Sequence, residues 1–146
     1  MTKRLTADQQ ALLEVLRDRA RLIVDFVLSV EEAPSIQMLR PIVEDCATAG
    51  NLHGMKMLVR DLDEMSLALA PHHREGLEAL LAARLGVDKD AERLAWRERV
   101  HHALRRGTVA SEKERQRLER YVEMLEATGG DPAEIAAVTR LLAAGE

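Results

Sequence analysis

Few residue types in this chain can do chemistry, and the histidines come first. Two adjacent pairs occur, His72–His73 in PHHREG and His101–His102 in RERVHHALRRG, with His53 standing apart. Glu98 precedes His101 by three residues, the Glu-x-x-His spacing with which one helix presents two metal ligands on one face. Neighbours on a helix point about 100° apart, so the members of a pair cannot share an ion. A helical wheel turns His73 into the arc of Leu77, Leu80, Leu81 and Leu85. It brings His101 to the edge of the arc of Trp96, Val100, Ala103 and Leu104. A mononuclear metal or small-ligand site from His73, Glu98 and His101 is therefore one expectation. A di-iron centre would need a second Glu-x-x-His, and the sequence has only this one. The plainer outcome is a half-buried histidine bonded to Glu98 or to a carbonyl.

Other reactive groups are scarce. Cys46 follows Glu44 and Asp45, whereas a nucleophilic cysteine needs a positive surrounding, so a small buried apolar side chain is expected there. The sequence contains no Gly-rich phosphate loop, nucleophile elbow, Cys-x-x-Cys or His-Glu-x-x-His. An enzyme is the least supported class, and no cofactor is expected. One cysteine allows no internal disulfide, and no run is apolar enough for a signal peptide or a bilayer span. A cytoplasmic protein is expected. Its 17 Arg against 4 Lys suggest a GC-rich bacterial genome.

Charge and methionine mark the candidate contact surfaces. Between Arg93 and Arg120 nine Arg/Lys face four Glu, a local net charge of +5 in a chain whose net charge is −4. Arg105, Arg106, Lys113, Arg117 and Arg120 have the chemistry to grip phosphate. Beside them runs an acidic stripe, Glu112, Glu119, Glu123 and Glu126, and no aromatic residue accompanies the arginines. Nucleic-acid binding is thus the third-ranked function, after metal or small-ligand binding. Met55, Met57 and Met65, with Met38 close in sequence, cluster about one hairpin, and flexible thioethers suit adaptable contact surfaces. The leading expectation is a non-enzymatic protein–protein interaction module, whether self-associating, adaptor or regulator. Its interface candidates are Met55, Met57 and Met65 together with Lys113, Arg117, Arg120 and Met124. A protein partner or a second copy is expected, and no membrane.

The elements that carry these residues read as helices throughout. Phe26, Trp96 and Tyr121 are the only aromatics, so the core must be aliphatic, and no alternating run reads as a strand. Thr6 with Gln9 makes a capping box, and Leu5 is placed for a hydrophobic staple. They open a helix over 7–30 that is apolar round much of its girth. Pro34 and Pro41 predict a short turn over 35–39 and a helix over 41–49, or one kinked helix. Gly50 and Asn51 separate that helix from the next, over 52–69. Pro71 opens a helix closed by Gly86, and another runs over 89–106 to Gly107. Ser111 with Glu114 starts a helix ending near Gly129, and Asp131, Pro132 and Glu134 start a last one over 132–144. The expected architecture is all-α, a compact single-domain bundle of six or seven short antiparallel helices. Sub-lobes 1–87 and 88–146, each based on a helical hairpin, are a further option. Ala47–Leu62 echoes Ala127–Leu142 at an offset of 80, and a tight helix–Gly–cap–helix turn by itself demands those residues.

Overall fold

In the computed structural model, which describes residues 4–144, the chain is all-α, with no strand among the described residues. The elements are α1 (Ala7–Val30), the single-turn α2 (Pro34–Gln37), α3 (Leu39–Ala49), α4 (Leu52–Ser66), α5 (Pro71–Leu85), α6 (Lys89–Arg106), α7 (Glu112–Thr128) and α8 (Pro132–Ala144). No helix among the described residues is long and apolar enough to cross a membrane. The chain divides between Val87 and Asp88 into two compact units.

Local sequence explains where most helices begin and end. The Thr6–Gln9 capping box forms in both directions, with Gln9 N–H donating to Thr6 Oγ1 and Thr6 N–H to Gln9 Oε1. Leu5 is not a staple within α1; it packs on Gly50, at the turn between α3 and α4. Asn51 and Asp88 accept the N–H groups of Gly54 and Ala91, so α4 and α6 start on side-chain caps. α3 starts two residues before Pro41. The ring fits because the first-turn N–H groups have no partner inside the helix. α4 ends at Ser66, short of 69, and Ser66 Oγ donates to Asp63 C=O at its end. The echo between 47–62 and 127–142 slips by one residue. Gly50 takes the left-handed cap after α3, while Gly129 rather than Gly130 takes it after α7. Turn chemistry accounts for the likeness.

In the first unit α1 is the hub, packing against α2, α3, α4 and α5. Its Leu13, Ala20, Ile23, Val24 and Val27 are buried with Val43 and Cys46 of α3, Met55, Leu58, Val59 and Leu62 of α4, and Leu77 and Leu81 of α5. The ion pairs fix direction. Arg21 meets Glu44 and Asp25 meets Arg40, so α1 and α3 run antiparallel. Arg19 meets Asp63 at 2.9 Å and Leu5 lies at Gly50, so α1 and α4 run the same way, and α3 and α4 are the antiparallel hairpin. In the second unit α6, α7 and α8 pack mutually. Val100, Ala103, Leu118, Tyr121, Met124, Leu125, Val138 and Leu141 are buried.

Leu62 is fully enclosed in the first unit's core. Leu62→Ala should cost about 2–5 kcal/mol, read as a fall in the urea midpoint at unchanged slope. A loss under about 1 kcal/mol would mean that this core is loosely packed.

Candidate functional site

The densest polar cluster lies in the second unit, at the start of α8. Glu134, in the first turn of that helix, is largely buried, its side chain 11% exposed. Three neighbours converge on its carboxylate. Tyr121 of α7 donates its hydroxyl to Oε1. On α6, His101 Nε2 lies 2.9 Å and Arg97 Nε 3.3 Å from Oε2. Arg97 and His101 are four residues apart, one helical turn, which is why both reach the same oxygen. Trp96 packs edge-on against Tyr121, ring centroids 5.3 Å apart, and its indole N–H is enclosed without an acceptor among the described residues. Two of the three aromatic residues are thus spent around one carboxylate.

The electrostatics follow from that enclosure. Burial by itself would push the Glu134 carboxyl up. The hydrogen bonds from Tyr121 and His101 and the charge of Arg97 outweigh it and hold the carboxyl below its ordinary value of 4.5. Burial, then the bond to Glu134, push the Tyr121 phenol far up, so it stays protonated and donates. The chemistry available is that of a charge-assisted clamp joining α6, α7 and α8.

The structure redistributes the residues singled out from the sequence. His101 is engaged by Glu134, while Glu98 is exposed and holds no histidine. His73 is half-buried, its ring tilted at 43° to that of His72 with centroids 3.9 Å apart. No group of three or more His, Cys, Asp or Glu placed to hold a metal ion occurs among the described residues. Cys46 is buried, and desolvation followed by the charge of Asp45 pushes its thiol up, away from nucleophilic use. Arg106 is bound to Glu114 and to the carbonyl of Thr108, which draws it from any phosphate-gripping stripe. Glu114 is held below the ordinary carboxylate range by the Ala110 N–H, against burial and with help from Arg106. Arg105 and Lys113 are exposed, and Arg117 and Arg120 are half-buried. Met55 and Met124 are core side chains that present nothing to a partner, because the helical repeat places them on the stripes of Leu58–Val59 and Leu118–Tyr121–Leu125. Met65 is half-buried and Met57 is exposed.

Sequence reasoning missed Glu134 as a site residue, taking it for a cap at a helix start. The available signal was the lone Tyr121 on an otherwise aliphatic stripe, since a buried phenol needs an acceptor.

The sole tryptophan lies in this cluster and reports on it. Because Glu134 titrates lower in the folded chain, the stability it adds is complete above about 4.5 and is lost as pH falls through the lower folded value. Glu134→Gln should therefore lower the unfolding free energy, read from urea titration by Trp96 fluorescence, by about 1–3 kcal/mol at neutral pH. The gap should narrow near pH 3, roughly two units below the carboxylate's ordinary range. An equal gap at both pH values would show that the carboxylate's charge plays no part. Comparison with models of protein families, with curated proteins and with solved structures gives no match to this chain, so its role has to be read from its own residues.

Proposed function

We propose that the chain is a non-enzymatic protein–protein interaction module, cytoplasmic and bacterial, that works by presenting a helix-hairpin face to another protein. One observation carries this. In the first unit Met38 is 72%, Ile42 44% and Met57 42% exposed about the α3–α4 hairpin, while the other exposed large apolar side chains of that unit, Val15 at 58% and Leu12 at 39%, stand on α1. Exposing three large apolar side chains around one hairpin costs solubility unless a partner covers them. Met38 and Ile42 stand one helical turn apart, the spacing of anchors in helix-face docking.

In the second unit, Lys113 of α7 is exposed and Arg117 and Arg120 are half-buried. Metal or small-ligand binding draws less support, because His101, its best-placed member, is occupied by Glu134. Nucleic-acid binding draws less as well, because the exposed outer side of α7 carries Glu112, Glu119, Glu123 and Glu126. The cytoplasmic setting rests on a single cysteine that can form no internal disulfide.

The double variant Ile42→Lys, Met57→Lys tests the proposal. Circular dichroism should be unchanged, because both side chains are already exposed. Any protein, or second copy, that the wild-type chain holds in pull-down and light scattering should be bound about tenfold or more weakly. Association that the double variant leaves intact would overturn the assignment of this face.

A further inference from the structure

We propose that the outer α3–α4 groove of the first unit is a docking site for a cationic amphipathic helix of another protein. This rests on the interaction-module proposal and adds the chemistry of the partner. The three-helix arrangement of α1, α3 and α4 has three flanks. The α1–α3 flank, where a cleft of about 270 Å³ is lined by Arg21, Val24, Asp25, Arg40, Val43 and Glu44, is spanned by two ion pairs. Arg21 Nε meets Glu44 at 2.9 Å and Arg40 meets Asp25 at 2.8 Å. The α1–α4 flank is spanned by Arg19 and Asp63. The third flank, between α3 and α4, is built differently.

At 100° per residue, Met38, Ile42, Asp45 and Ala49 form one stripe, about 100–160° round from buried Val43 and on the side opposite Glu44. On α4, Gly54, Met57 and Asp61 form another, with Met65 just inside it, about 80–160° round from buried Met55 and opposite Asp63. Glu44 and Asp63 mark the sides turned to α1, so both stripes border the same outward groove. Because α3 and α4 run antiparallel from the Gly50 turn, Asp45 comes level with Met57 and Ile42 with Asp61. Each wall sets an apolar anchor opposite a carboxylate.

Charge selects the occupant. Asp45 and Asp61 are exposed and make no ion pair among the described residues, unlike the acids on the other two flanks. Lys56 and Arg60 lie about 100° and 60° round α4 from Met57, towards α1, and so leave the groove itself acidic. An apolar or acidic partner pressed onto Ile42 and Met57 would strand both carboxylates away from water. A helix with an apolar stripe flanked by Lys or Arg at three- and four-residue spacing fills the anchors and pairs the acids together. The thioethers of Met38, Met57 and Met65 adapt to varied apolar side chains, so the groove selects by pattern.

The test titrates the full chain into two fluorescein-labelled designed helices of about 18 residues, five turns, one Leu/Lys and one Leu/Glu in the same pattern. The Leu/Lys helix should bind saturably at one to one, and the Leu/Glu helix should not. Asp45→Asn with Asp61→Asn should weaken binding about tenfold and flatten its salt dependence. Ile42→Ser, which changes no charge, should weaken it by a similar factor. Glu119→Gln, Glu123→Gln and Glu126→Gln on α7, which belongs to the other unit, should leave it within about twofold. Absent saturation, indifference to the Asp45/Asp61 change, or equal loss with the α7 glutamines would overturn the cationic partner. A neutral Leu/Gln helix that binds as tightly and is lost only with Ile42→Ser would also overturn it, while leaving the interaction module standing. The module falls only if, in addition, Ile42→Lys with Met57→Lys disturbs no association.

Discussion

The burial of α1 is the constraint on which the first unit depends. A helix satisfies its own backbone hydrogen bonds, so its placement is decided by which side chains must leave water. α1 carries buried residues from Leu13 to Val27 over more than half its circumference, which obliges other helices to cover it on several sides. α3 and α4 do so from adjacent flanks, and α5 covers Phe26, which lies against Gly76. Once these positions are taken, the direction of each neighbour is set by the ion pairs that α1 can make, Arg21 and Asp25 with α3 and Arg19 with α4. The two exposed pairs with α3 contribute little stability and mainly fix register and orientation, whereas Arg19–Asp63 is partly buried. The α3–α4 flank is the one that α1 does not close, and the exposed methionines and Ile42 are found there.

The second unit solves a different problem. Two of its three helices, α6 and α7, are strongly polar, and α8 is the richest in aliphatic residues. A largely buried carboxylate is costly unless it is bonded and its charge is met, and Glu134 has hydrogen bonds with Tyr121 and His101 and an ion pair with Arg97, from two other helices. That requirement ties the start of α8 to α6 and α7 at one defined point, which apolar packing alone would leave free to slide. Tyr121 is itself buried and packs edge-on against Trp96, and its enclosure strengthens the bond it makes to Glu134.

Both solutions consume the groups that would otherwise do chemistry. His101, Arg97 and Tyr121 are committed to Glu134, Arg106 to Glu114, and the Cys46 thiol is buried beside an acidic neighbour. The α3–α4 hairpin keeps exposed apolar and acidic side chains, Met38, Ile42, Met57, Asp45 and Asp61, and the proposed function rests on them. This is why binding, and not catalysis, is the function proposed here.

Secondary structure was legible in the sequence because its signals are local. Caps at Thr6, Asn51, Ser111 and Asp131, and glycines at 50, 86, 107 and 129, act within a turn of where they stand. The helical wheel likewise turned His73 and His101 inward and His72 and His102 outward, because a three-to-four residue repeat is a property of one helix. Partnership across helices was not legible. Glu134 lies 33 residues from His101, and nothing in either neighbourhood encodes their meeting. The methionines show the same division. Periodicity separated Met57 from Met55 on α4 and sets Met124 on the apolar stripe of α7, but only packing could tell that Met38 stands outside. One chain position decides its own conformation through neighbours a few bonds away, whereas burial and pairing depend on where the remaining helices come to rest.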